Sequence, residues 1–202
     1  MKKISMIVLV LLALMVSTAF AGPFPTTIAG LTLGEHMGNH QKYCETGEAT
    51  PIPDMPFLKE VHFIPGAIPG VRGGSLTYAN CDDVDMLMRV KLKFHDRSQH
   101  FFDKLYKKYE KAYGKPDSYE GDTFRNIIAW KWVFTRGDER MSILLMWSKK
   151  AEMRPGVSIK MTYDSVMENE YRCYMKQRDD EERRMGKHRN KKVRDLDDFV
   201  AR

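Results

Sequence analysis

The chain has little that chemistry usually needs. It contains no Gly-x-Ser-x-Gly elbow, no Gly-x-x-x-x-Gly-Lys-Ser/Thr phosphate loop and no Gly-x-Gly-x-x-Gly fingerprint opening a helix. It has no Cys-x-x-Cys-His, so covalent haem attachment is excluded. After the first 21 residues no stretch is apolar enough to span a bilayer. Gly70-Val71-Arg72-Gly73-Gly74 is glycine-rich but lacks a strand-to-helix setting, and it reads as a flexible connector. No acid–base pair of carboxylates stands out. The expectation is a protein that is not an enzyme and carries no cofactor.

Cysteine is also sparse. There are three: Cys44, Cys81 and Cys173. Residues 1–21 explain why pairing is expected at all. Lys2 and Lys3 precede an apolar run from Ile4 to Val16, and Ala19-Phe20-Ala21 supplies a small-x-small cleavage site before Gly22. This reads as a cleaved signal peptide, so the mature chain is expected to be periplasmic or secreted, not membrane-integral. No cysteine follows the apolar run, so lipoprotein processing is not indicated. An oxidising compartment favours a disulfide. Cys44 with Cys81 is the expected pair, both lying in the loop-rich first half; pairings with Cys173 stay open.

Charge is abundant but nearly balanced. The formal net charge of +6 falls to +4 once Lys2 and Lys3 are removed. Much of the basic excess sits near the C-terminus, which argues against a nucleic-acid partner. Asp82, Asp83 and Asp85 crowd one turn without the glycine and distal glutamate of a calcium loop. Of the 14 methionines several fall in the leader and others alternate along strands, as gap-filling core residues do.

The strongest pattern runs from Arg97 to Trp147. Phe101, Phe102, Leu105, Tyr106, Tyr109, Ala112 and Tyr113 recur at helical spacing behind the N-cap types Asp96 and Ser98. Gly114 and Pro116 end that helix. From Asn126 to Phe134 the period becomes two, with Ile128, Trp130, Trp132 and Phe134 on one face. A turn at Arg136-Gly137-Asp138 leads into Met141, Ile143, Leu145 and Trp147. The core is therefore expected at Phe101, Leu105, Tyr109, Trp130, Trp132 and Trp147. A ligand-stacking platform on Trp130 and Trp132 is the sharper alternative.

Before this stretch, Glu35–Cys44 reads as a short helix and Thr46–Pro56 as a proline-rich loop. Strands are expected at Leu58–Ile64, Arg72–Asn80 and Met86–Phe94. In the last, Met86, Met88, Val90, Leu92 and Phe94 would point inward, with Arg89, Lys91 and Lys93 outward. A final strand spans Val157–Tyr163, and Asp164 to about Arg184 reads as a helix. The divisions are thus residues 1–21 as signal peptide, 22–164 as one domain and 165–202 as a C-terminal helix with a charged tail. The fold class is α+β, with two αβββ-like halves forming an antiparallel sheet and helices packed on one face.

One constellation suggests metal. Glu35-His36-x-x-x-His40-x-x-x-Cys44 would place His36, His40 and Cys44 along one face of an α-helix, where two imidazoles and a thiolate suit zinc or copper. The glutamate precedes the first histidine, so the zinc-protease pattern is absent.

Gly30-Leu31-Thr32-Leu33-Gly34 before a short helix resembles the opening of small envelope proteins of the SmpA/OmlA type. Tyr113-Gly114-Lys115-Pro116-Asp117, followed by Ala129-Trp130-Lys131-Trp132, resembles their helix-end turn and first strands. The tandem form is similar to the β-lactamase-inhibitor-protein fold. The resemblance implies an assembly scaffold or protein inhibitor. The expected function is therefore binding of another protein or an envelope component, with the His36–His40–Cys44 metal site as the alternative. The oligomeric state is left open.

Overall fold

The computed structural model describes residues 24–45, 49–150 and 156–186. The leader and the tail after residue 186 lie outside the described residues. A two-residue ribbon, β1 (Thr27–Ile28) and β2 (Leu31–Thr32), leads into a 3₁₀ segment at Met37–Tyr43. Then come β3 (Thr50–Ile52), β4 (Met55–His62), β5 (Val71–Ala79) and β6 (Leu87–Phe94). Helix α1 (Gln99–Tyr113) precedes β7 (Ser118–Tyr119), β8 (Ile127–Arg136), β9 (Glu139–Ser148) and β10 (Ser158–Tyr163). Helix α2 (Asp164–Gly186) closes the described chain. The class is α+β, with one eight-stranded and one two-stranded antiparallel sheet.

The large sheet has the order β3-β4-β5-β6-β10-β9-β8-β7. Each run of four strands is a meander, and the two runs join where β6 pairs antiparallel with β10. Thr50–Ile52 lies in the stretch expected to be loop; it forms an edge strand that pairs with β4 through an irregular register. Pro51 is tolerated there because an edge strand can spare an N–H.

One face of the sheet carries the main core. Val61, Leu76, Val90, Leu92, Ile143, Leu145, Ile159 and Met161 meet Leu31, Leu33 and Met37 from the N-terminal segment and Phe102 from α1. Trp132 and Trp147 are buried, while Phe101, Leu105, Tyr109 and Trp130 pack half-buried against them. The fully buried anchor of α1 is Phe102 rather than its neighbour Phe101. The platform reading of the tryptophans does not fit. Tyr106 packs on both Trp130 and Trp132, and Tyr119 meets Trp130 edge-on at 4.9 Å.

The tryptophans also fix the helix. Trp147 Nε1 donates to the Arg97 carbonyl just before α1, and Trp132 Nε1 donates to the Gly114 carbonyl just after it. Ser98 Oγ accepts the Phe101 N–H as N-cap. Both ends of the helix are thus tied to the strand face it covers.

The alternation expected for β6 fails at its start. Tyr78 pairs with Leu87 but Thr77 pairs with Arg89, leaving Met88 as an extra residue. This β-bulge flips the facing, as inserting one residue must. Leu87 joins the main core, and Met88 turns to the opposite face. There Phe57, Leu58, Ala79, Met88 and Val166 form a second small cluster beneath α2, so the two helices cover opposite faces of the sheet and not the single face expected.

The disulfide differs from the expected Cys44–Cys81 pair. Cys81 bonds Cys173 on α2, and Cys44 is free and buried. Cys44 belongs to the main core and its Sγ donates to the His40 carbonyl, so it is packed away from Cys81. The observed bond spans 92 residues. In the chain-entropy relation that corresponds to about 4.6 kcal/mol.

A second clasp sits one helical turn before that bond. Glu170 is 0% exposed, yet its carboxylate accepts four backbone N–H groups from one loop. Oε2 takes those of Asn80 and Cys81, and Oε1 takes those of Asp82 and Asp83. The run of N–H groups forms an anion-binding concavity. Glu170 and Cys173 together hold α2 across one end of the sheet's second face.

Candidate functional site

The second face is largely free of helix and is built by strand register. Lys91 on β6 stands opposite Lys160 on β10, Lys160 stands opposite Leu144 on β9, and Leu144 stands opposite Lys131 on β8. Three lysines therefore share one row across four strands. Neighbouring strands lie about 4.8 Å apart, so the row spans roughly 14 Å. One step along the strands, Arg89 stands opposite Thr162, which stands opposite Ser142. In the other direction Ser158 stands opposite Met146, and Met146 opposite Ala129.

The row forms the floor of two hollows. The larger holds about 390 Å³ and is lined by Lys91, Lys160 and Ser158 on one side and by Ile127, Ala129, Leu144 and Met146 on the other. The smaller holds about 150 Å³ between Arg89, Lys131, Lys160, Ser142 and Thr162. Glu120, Leu144 and Lys160 line both. Asp164 at the start of α2 closes the smaller hollow at one end. The outer wall is the segment after β7. Glu120 N donates to the Ala129 carbonyl, and Asp122 accepts the Asn126 and Ile127 N–H groups.

Electrostatics make this face unusual. Like charges directly opposite on neighbouring strands destabilise a sheet. Burial, then the charges of Arg89, Lys91 and Lys131, push the half-buried Lys160 ammonium below its ordinary range; Asp164 opposes them. No carboxylate lies within 4 Å of the Lys160 or Lys131 ammonium among the described residues. Arg89 differs. Burial lowers its pKa, but Glu60 and Asp164 support its charge. Its Nε donates to Thr162 Oγ1 and its Nη2 to Met167 Sδ, which ties the guanidinium to the base of α2.

The residues expected to bind metal lie elsewhere and diverge. The segment is 3₁₀ rather than α-helical. At three residues per turn, positions four apart point about 120° from one another instead of stacking. His36 is exposed at the N-cap, its Nδ1 accepting the Gly38 N–H, and its Nε2 is 3.9 Å from Asp85. His40 is 1% exposed. Its Nε2 lies 3.3 Å from Glu35 but is not aligned as a hydrogen bond. Burial lowers the His40 pKa, against Glu35, which raises it. Burial also pushes the Cys44 thiol up, disfavouring thiolate. Among the described residues no three His, Cys, Asp or Glu side chains are grouped to hold a metal ion.

Sequence reading placed Arg89, Lys91 and Lys93 on an outward face but missed Lys131 and Lys160 as their neighbours. The available signal was the lone lysine within each otherwise apolar strand run, at Trp130-Lys131-Trp132 and Ile159-Lys160-Met161. Comparison with family models, with curated proteins and with solved structures finds no match to this chain.

Proposed function

We propose that the protein is a non-enzymatic binding module of the cell envelope that holds an anionic partner or envelope component on the open face of its sheet. The observation that carries this reading is the row Lys91–Lys160–Leu144–Lys131. A half-buried ammonium beside three other cations costs stability in the free protein. A bound anion would recover that cost, and a site built for binding shows this trade. The leader-like residues 1–21 and the disulfide are compatible with export. The paired meanders, one behind the 3₁₀ segment and one behind α1, suit the tandem arrangement implied by the SmpA/OmlA-type and β-lactamase-inhibitor-like resemblance. That resemblance also favours binding over catalysis.

The test is backbone NMR of the isotope-labelled mature chain, titrated separately with inorganic phosphate and with a glutamate-rich peptide. Saturable shifts clustered at residues 89–93, 129–133 and 158–162, lost in Lys160→Glu, are expected. Absence of any saturable shift at those strands with both anions refutes the reading.

A further inference from the structure

The two hollows differ in chemistry, and the difference specifies a ligand. The smaller offers three cations, Arg89, Lys131 and Lys160, and two hydroxyls, Ser142 and Thr162. Oxygens of a tetrahedral oxyanion can meet several such donors at once, and an ammonium recognises phosphate as a point charge. The larger hollow opens from the same Lys160 and Leu144 but is floored by Ile127, Ala129, Leu144 and Met146. At about 390 Å³ it falls within the size range of small-molecule sites. Its apolar strip begins where the cationic pocket ends.

Resting on the binding reading above, we propose that this face takes a phosphate-headed amphiphile, the phosphate in the Arg89–Lys131–Lys160 pocket and the apolar body along Leu144 and Met146. Charge complementarity selects the head. Arg89 is already positioned by Thr162 and Met167, so part of the pocket is pre-organised. Glu120 and Asp164 also line this pocket, which leaves an excess of one positive charge, three cations against two carboxylates. An acidic peptide would use the lysines but has no need of the apolar strip beside them.

The same chemistry has two sources, a monomeric phosphate ester or a phosphate-bearing lipid in a bilayer. The experiment uses the full mature chain and calorimetric titration with dodecyl phosphate below its micelle concentration, inorganic phosphate, dodecyl maltoside and a glutamate-rich peptide. Flotation with phosphatidylcholine vesicles, with and without phosphatidate, completes the set. Dodecyl phosphate is expected to bind at least tenfold tighter than either inorganic phosphate or dodecyl maltoside. Lys160→Gln and Lys131→Gln should each weaken it tenfold or more. Met146→Ser, at a position that lines only the larger hollow, should remove most of the advantage of dodecyl phosphate over inorganic phosphate. Circular dichroism confirms that each variant is folded.

Flotation only with phosphatidate vesicles supports the lipid source, and binding of the monomer without flotation supports the soluble ester. Dodecyl phosphate that binds no tighter than dodecyl maltoside, or is indifferent to both lysine variants, overturns the proposal. Peptide binding at the same strands with no dodecyl phosphate binding overturns this inference while leaving the anion-binding reading standing. Binding of none of the anions removes both.

Discussion

Replacing Glu170 by glutamine keeps the shape of the side chain and changes what it can accept. The native carboxylate takes two N–H groups on each oxygen, from Asn80 and Cys81 on one and from Asp82 and Asp83 on the other. The amide can serve one pair; its NH₂ then faces the other pair donor to donor. Hydrogen bonds to a charged group are worth about 1.5–3 kcal/mol each, so losing two predicts a cost of about 3–6 kcal/mol. The cost should depend on the disulfide. Cys173 lies one turn further along α2 and ties Cys81 into the same loop. With Cys81→Ser and Cys173→Ser the loop can drift from α2, and the glutamine should then cost less, with a coupling above about 0.5 kcal/mol. Urea unfolding followed by the fluorescence of the buried Trp132 and Trp147 measures all corners of the cycle. With a slope near 2 kcal/mol/M, the single variant should lower the midpoint by about 1.5–3 M. A Glu170→Gln protein within about 1 kcal/mol of the parent would show that the loop N–H groups find other acceptors, and the clasp would not be what holds α2.

Three further variants test other parts of the fold. At Gly74 (φ +154°) an added Cβ would meet the Lys91 carbonyl oxygen at 1.9 Å, so Gly74→Ala should force β5 from β6 and cost at least about 3 kcal/mol. Gly137→Ala (φ +58°), with nothing near its Cβ, should cost only about 1–2 kcal/mol, both read from melting temperatures. Lys160→Met should stabilise the free protein at neutral pH. The folded-state pKa of Lys160 lies below the ordinary 10.5, so its charged form is penalised on folding below that depressed value. The penalty fades as pH rises from the depressed value towards 10.5. Burial sets it first, then the charges of Arg89 and Lys91 on β6 and Lys131 on β8, with Asp164 at the head of α2 opposing them. The gain should shrink through that alkaline window, and a variant less stable than the parent at pH 7 would contradict it.

The parts of the fold that the sequence displays are those where one period runs unbroken. Helix α1 and the β8–β9 hairpin show it, because Phe101 to Tyr113 and Ile128 to Phe134 hold their spacing and the breaks at Gly114 and Gly137 are single residues. What stays hidden has non-local causes. The bulge at Met88 leaves no mark, since Met86 and Met88 continue an apparent alternation that only pairing with β5 interrupts. The 3₁₀ segment carries helical residue types, but its hydrogen bonds are set by docking on the loop at Asp85 and on β4. Glu170 reads as one more charge on a polar helix until the loop it binds, some 90 residues earlier, is in place. The cationic site is hidden for the same reason. Lys131 and Lys160 each look like an isolated polar position, and only the register through Leu144 makes them neighbours.

The disulfide carries a consequence for how the chain is made. A polypeptide grows from its N-terminus, so Cys44 and Cys81 both exist long before Cys173. An oxidant acting on that early chain is offered the non-native partner first, and closing the shorter loop is entropically easier. The native bond waits for the second meander and the first three turns of α2. In the folded chain Cys44 is held from that partner by its place in the main core, where its backbone bridges to Phe63 just after β4. A chain in which Cys44 and Cys81 had paired would leave Cys173 without its partner. It then depends on thiol–disulfide exchange, with Cys173 as the attacking thiolate, to reach the native connection.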